Sequence, residues 1–148
     1  MRGVFGAVAA VLLLGASLFQ QQNPGRVAAG QAKETDAQSQ VKVIEMTAKK
    51  HDYTPGDIRV KKGTRVQLKV RATDRTHGFR IALIPEGAPA NDPPGLRFAE
   101  VQDNWKLEKN QERVIEFVAE RSGTYPFKCS VFCGFGHVGM KGKLVVED

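Results

Sequence analysis

The chemistry of this chain is concentrated in Cys129-Ser-Val-Phe-Cys133-Gly-Phe-Gly-His137-Val-Gly-Met140. The stretch holds both cysteines, one of three histidines and one of three methionines. Thiolate, imidazole and thioether are soft to borderline donors, a set that favours copper over magnesium, calcium or manganese. Packing alone gives no reason for them to crowd together. Gly134, Gly136 and Gly139 let the backbone turn where a Cβ would forbid it, so the segment can curl around an ion. The spacing predicts a metal-binding loop between two strands. A Cys129–Cys133 disulfide in an oxidising compartment is the alternative, and it leaves His137 and Met140 without a reason.

A second imidazole is available in Asp74-Arg75-Thr76-His77-Gly78-Phe79. Taken alone, His77 reads as a surface or capping residue. Beside a soft-donor loop that lacks one imidazole, it becomes a candidate ligand. His51, in Lys49-Lys50-His51-Asp52-Tyr53, is flanked by charge and is expected to be solvated and silent toward metal. One cysteine, two histidines and a weak methionine form the blue-copper set. His77, Cys133, His137 and Met140 could therefore hold one copper with Cys129 as a bystander, while both thiolates together could bridge two.

These residues need a frame, and from Val41 onward the apolar period is two. Val41, Val43, Ile44 and Met46 mark a first strand with a register shift. Asp57–Lys61 alternates, and Lys62-Gly63 is a turn. Val66, Leu68 and Val70 alternate with Gln67, Lys69 and Arg71, as in a half-buried strand. Phe79, Ile81 and Leu83 share a face. Pro85 to Pro94, with four prolines and Gly87, is a long surface loop. Leu96 to Lys106 has an ambiguous pattern that allows a helical turn, and Trp105 reads as a core or loop aromatic. Val114–Val118, Gly123–Lys128 and Lys143–Val146 complete the strands. Short strands with turn signals and no long helix predict an all-β sandwich.

The chain has 148 residues, enough for one cored domain after an N-terminal appendage. Arg2 followed by the uncharged apolar run Gly3–Phe19 and then Gln20-Gln-Gln-Asn23 has the pattern of a secretory signal or a single membrane anchor, assigned to residues 1–30. Both readings place the domain outside the cytoplasm, periplasmic or on the cell surface. Residues 31–40 read as a flexible linker, and 41–148 as the folded domain. The chain carries 22 Lys+Arg against 16 Asp+Glu. Basic residues are interleaved with acidic ones and form no block, so no nucleic-acid partner is expected.

His77-Gly78-Phe79, followed by Cys129-x3-Cys133-x3-His137-x2-Met140, resembles the copper A (CuA) domain of cytochrome c oxidase subunit II; the nitrous oxide reductase domain shares the motif. Thr54-Pro55 and Ile58-Arg-Val-Lys-Lys-Gly63 are similar to early cupredoxin strands. The resemblance covers residues 41–148 and implies a cupredoxin-like Greek-key β-sandwich with a binuclear copper centre. It implies that His77 and His137 each bind one copper and that Cys129 and Cys133 bridge them. Met140 would be a weak axial ligand and the Val131 backbone carbonyl the sixth donor. Val131 stands where most of these subunits have glutamate, so their magnesium contact to subunit I is not expected. The aromatic run that receives electrons from cytochrome c and the usual paired membrane helices are not recognisable.

The expected function is one-electron transfer, with a cytochrome c-like donor and a haem-copper oxidase subunit I as partners. No catalytic residue is assigned, and an enzyme label would belong to the assembled oxidase. A mononuclear blue-copper protein and a copper chaperone or storage protein are the alternatives.

Overall fold

The computed structural model describes residues 41–148. The signal or anchor segment and the linker lie outside the described residues. Ten strands follow in chain order: β1 (Val41–Lys49), β2 (Asp52–Thr54), β3 (Asp57–Lys61), β4 (Arg65–Ala72), β5 (His77–Ile81), β6 (Leu96–Phe98), β7 (Asn104–Leu107), β8 (Glu112–Ala119), β9 (Gly123–Lys128) and β10 (Lys141–Glu147). They form two five-stranded sheets, ordered β2-β1-β4-β8-β6 and β3-β10-β9-β5-β7. The all-β sandwich expected from the alternation is what the chain adopts.

Alternation explains the layers. In β4, Val66, Leu68, Val70 and Ala72 are buried while Arg65 and Arg71 face out. The second sheet contributes Phe79, Ile81, Tyr125, Phe127, Leu144 and Val146 to the same core. Each fully buried side chain of this size contributes about 1.5–3 kcal/mol from removal of apolar surface. Trp105 is buried in this core.

Three local expectations need correction. β1 has no register shift: it pairs in parallel with β4 without interruption from Val41↔Arg65 to Ala48↔Ala72. Ile44, Met46 and Ala48 share the inward face, and Val41 and Val43 are exposed. A continuous ladder fixes one phase, and a one-residue slip would move the whole apolar set to the other face. Leu96 to Lys106 holds two short strands rather than a helical turn. The period there is two, with Trp105 and Leu107 buried and Asn104 and Lys106 exposed. Each short strand extends an edge, β6 on β8 and β7 on β5. Leu83 lies beyond the end of β5 and is only half-buried.

From β2 to β9 every connection crosses between sheets. Among the described residues, β9–β10 is the one hairpin of its sheet, and its loop is residues 129–140. The donor-rich segment therefore hangs from two adjacent hydrogen-bonded strands, with β5 on the other side of β9.

Candidate metal centre

The neck of the hairpin brings the two ends of the loop together. Lys128 and Lys141 are directly opposed, and the Cys129 N–H donates to the Met140 carbonyl at 2.9 Å. At its far end the loop tightens into one 3-10 turn, His137–Gly139. His137 N–H donates to Gly134 O at 3.0 Å, and Met140 N–H donates to His137 O at 3.1 Å. These bonds turn a sequence spacing into a cup of donors.

His77 enters from β5 and is completely buried. Its neighbour sets the separation between strand and loop. The Gly78 N–H donates to Cys129 Sγ at 3.3 Å. A Cβ at Gly78 would lie 2.1 Å from Ser130 Oγ and 2.8 Å from the Ser130 and Val131 nitrogens. Only glycine allows this approach. Below, Tyr53 packs edge-on against Phe79 and Phe127, and its hydroxyl donates to the Gly78 carbonyl. Burial, with Cys129 nearby, pushes the Tyr53 phenol well above its ordinary range, so it remains a donor.

The six positions named from sequence converge as follows. The Cys129 and Cys133 sulfurs are 3.7 Å apart, too far for a disulfide bond of about 2.05 Å. His77 Nδ1 faces Cys129 Sγ at 4.0 Å, and His137 Nδ1 faces Cys133 Sγ at 3.7 Å. Met140 Sδ is 3.9 Å from Cys133 Sγ, and the Val131 carbonyl is 3.1 Å from Cys129 Sγ. Donor atoms of His77, Cys129 and Cys133 all lie within 4.8 Å of one another. The two cysteines and Met140 are buried, whereas His137 is half-buried.

The surroundings orient these donors. His77 Nε2 is 2.8 Å from Asp74 Oδ1, and Asp74 Oδ2 accepts the Lys50 backbone N–H at 3.2 Å. A ring that gives its Nε2 proton to a carboxylate leaves Nδ1 bare toward the sulfurs. Partial burial opposes the Asp74 charge, but the hydrogen bonds from His77 and Lys50 prevail and hold its pKa at about 2. Burial and the adjacent Cys129 push the Cys133 thiol up to about 11. The Cys133 thiol therefore gains little by ionising unless a cation sits beside it. The donor set is two sulfurs, two imidazole nitrogens, a thioether and a carbonyl. It fits a soft or borderline metal such as copper and offers a hard cation only Val131 O.

Three nearby residues were not picked out by the sequence reading. Asp74 could have been flagged by its place three residues before His77. Arg75 donates from Nη1 to the Cys133 carbonyl at 2.8 Å. His51 overturns the expectation that it is solvated: its ring lies under the loop and its Nε2 is enclosed, with no hydrogen-bond partner among the described residues. A Cβ at Gly136 would come within 2.4 Å of His51 Nδ1. Gly136 also has φ 103°, a left-handed backbone that favours glycine. The contact spans residues far apart in sequence, so flanking charge gave no hint of it.

A family model for the cupredoxin-like domain matches residues 8–146. Cytochrome c oxidase subunit 2 of Thermus thermophilus is 28% identical over 96 residues, covering 65% of this chain and 58% of that protein. A second cytochrome c oxidase subunit 2 from the same species is again 28% identical over 96 residues, covering 65% of this chain and 47% of its own length. The chain thus spans about half the length of the curated relatives it matches. Among solved structures, a heme-copper terminal oxidase dimer aligns with TM-score 0.53 and 24% identity over 72% of this chain and 65% of that one. Auracyanin A, a blue copper protein from Chloroflexus aurantiacus, aligns with TM-score 0.54 and 18% identity over 73% of this chain and 100% of its own. Both structures share the fold. The chain belongs to the cupredoxin-like domain family, as a copper-binding electron-transfer domain related to cytochrome c oxidase subunit 2.

Proposed function

We propose that the domain is a one-electron carrier with a binuclear copper centre of the CuA kind, serving as the exported domain of an oxidase subunit II. One observation carries this. The two sulfurs are 3.7 Å apart, and each has its own imidazole Nδ1 before it. In a single-copper site Cys129 would stand aside. Its sulfur instead adjoins both His77 and Cys133 and accepts the Gly78 N–H.

Copper, when bound, supplies a one-electron couple that two shared thiolates can spread over both ions. His77 and His137 would each hold one ion, Cys129 and Cys133 would bridge, and Met140 and the Val131 carbonyl would be weak donors. The chain's own part is to keep these donors still. Asp74 fixes the His77 ring, the Gly78 N–H and the Met140 carbonyl fix Cys129, and Arg75 holds the Cys133 backbone. Donors that barely move between redox states cost little reorganisation. The apolar run Gly3–Phe19 would export or anchor the domain on the outer side of the cytoplasmic membrane. There a cytochrome c-like protein is the expected donor and a haem-copper subunit the acceptor. Oxygen chemistry belongs to that haem-bearing subunit.

Metal analysis of the copper-reconstituted chain, paired with electron paramagnetic resonance, tests the proposal. Two coppers per chain are expected, with hyperfine structure from one electron shared by two nuclei. One copper with single-nucleus hyperfine structure would promote the blue-copper alternative. Copper that binds and leaves without a reversible redox couple would promote the chaperone alternative.

A further inference from the structure

Three cations form a row across the strands that carry the loop. Lys141 of β10 lies directly opposite Lys128 of β9, and Lys128 lies directly opposite Arg80 of β5. Opposed residues share a face of the sheet, and all three side chains here are exposed to solvent. Like charges in directly opposed positions destabilise a sheet, so the row is not explained by folding. Arg80 is partly balanced by Asp103 at 3.1 Å. Among the described residues, Lys128 and Lys141 make no ion pair.

The row adjoins the donors. Lys128 precedes Cys129, and Lys141 follows Met140. Arg80, Lys128, Cys129, Ser130, His137 and Val138 line one shallow depression, so a group that reaches Arg80 and Lys128 also reaches the His137 edge. The loop beside it projects three apolar side chains into solvent: Phe132, Phe135 and Val138 are 75%, 97% and 91% exposed. Val138 lines the depression itself and the Phe132 ring lies 6.0 Å from that of His137, and exposed apolar groups beside a redox site mark a contact surface rather than a solvated loop.

We propose that this face docks a redox protein whose own contact face is acidic. Its carboxylates would lie over Arg80, Lys128 and Lys141, and an apolar area around its redox group would meet Val138 and Phe132 beside His137. The inference rests on the electron-transfer reading above and adds the charge of the partner. A small anion would use the cations but has no use for the apolar side chains. A basic protein would be repelled by the row. Complementary charge acts chiefly on the association rate and makes it salt-dependent, which suits a partner that must leave quickly.

The test uses the full chain with two probes, an acidic and a basic c-type cytochrome of similar reduction potential. Stopped-flow rates with the copper-loaded protein should be higher for the acidic probe at low salt. They should fall about tenfold as ionic strength rises to a physiological value. Lys128→Glu/Lys141→Glu should remove that advantage and reverse its salt dependence. Lys61→Glu/Lys62→Glu changes net charge equally at the opposite end of β10, where the Lys62 N–H donates to Glu147 O, and should keep the advantage. Equal losses in both double variants would show a net-charge effect and overturn the docking face. An unchanged salt slope in Lys128→Glu/Lys141→Glu would overturn it as well. In a nuclear magnetic resonance titration the acidic cytochrome should shift signals of Lys128, Lys141 and Val138. Shifts caused by inorganic phosphate but not by the cytochrome would make the row a small-anion site and sink the proposal. Cytochrome-induced shifts without electron transfer would leave the docking face standing and count against the carrier reading instead.

Discussion

His77 and His137 face the two sulfurs from different kinds of support. His77 stands on a strand, wholly buried, with its far nitrogen held by Asp74 and its neighbour Gly78 hydrogen-bonded to Cys129 Sγ. His137 opens a 3-10 turn in the loop and is half-buried, between the exposed Phe135 and Val138. The strand side is over-determined and sets geometry. The loop side is held mainly by its own backbone hydrogen bonds and meets solvent. An electron carrier needs both: a centre that does not rearrange, and one edge near enough to a partner to pass an electron.

Replacing the residue that joins the halves should have the largest effect. Cys129 touches Gly78, Val131, Cys133 and His77. On the binuclear proposal, Cys129→Ser should abolish the shared-electron resonance and lower bound copper from two to at most one per chain. An unaltered spectrum would contradict the binuclear assignment.

Gly78→Ala tests how closely strand and loop must meet. Its methyl would fall on Ser130 Oγ and two backbone nitrogens, so overpacking should cost about 1–3 kcal/mol. Thermal unfolding of the copper-free protein reads this directly. Gly139→Ala is the loop-side counterpart. No described residue comes within 4 Å of its added Cβ, so the change should stay within about 0.5 kcal/mol. Equal losses at the two positions would erase the contrast between a tight strand side and an open loop side.

Asp74→Ala removes the partner of His77 Nε2 and frees the ring to turn. Copper affinity, measured against a competing chelator, should fall about 10–100-fold with the fold intact. A smaller loss is expected for His51→Ala, which takes away the shelf beneath Gly136. Affinity should drop a few-fold, about 1 kcal/mol, and His51→Phe should restore most of it. A silent His51→Ala would mean that Arg75 and the loop's own hydrogen bonds suffice.

Met140→Leu should be the mildest for binding. The substitution nearly conserves volume in a buried position. A weak axial thioether tunes potential more than it holds metal. On the proposed assignment bound copper should remain, and the reduction potential should rise because a donor to the oxidised form is lost. Loss of copper in this variant would mean that the loop side depends on Met140 as a main ligand.

How much could be read in advance varied with the range of the interactions. The two-residue period of Val66, Leu68 and Val70 is local, and it announced a half-buried strand. The same period at Trp105 and Leu107 was too short to separate from a turn until β7 was seen to pair with β5. Val41 and Val43 misled because their apolar character does not say which face they take. The parallel ladder with β4 makes that choice.

At the centre, donor types and their spacing along residues 129–140 were present in the chain as written, as was His77 beside a glycine. Those facts depend on residue identity and on a turn that the hairpin closes within itself. Tertiary structure alone decided the rest. It placed His51 under Gly136, Arg75 on the Cys133 carbonyl, and Arg80, Lys128 and Lys141 in one row. Each of these contacts joins separate elements or depends on how one strand end meets the loop. A sequence lists such groups without distances. Only the order of strands in the sheets and their register bring them within hydrogen-bond or packing range.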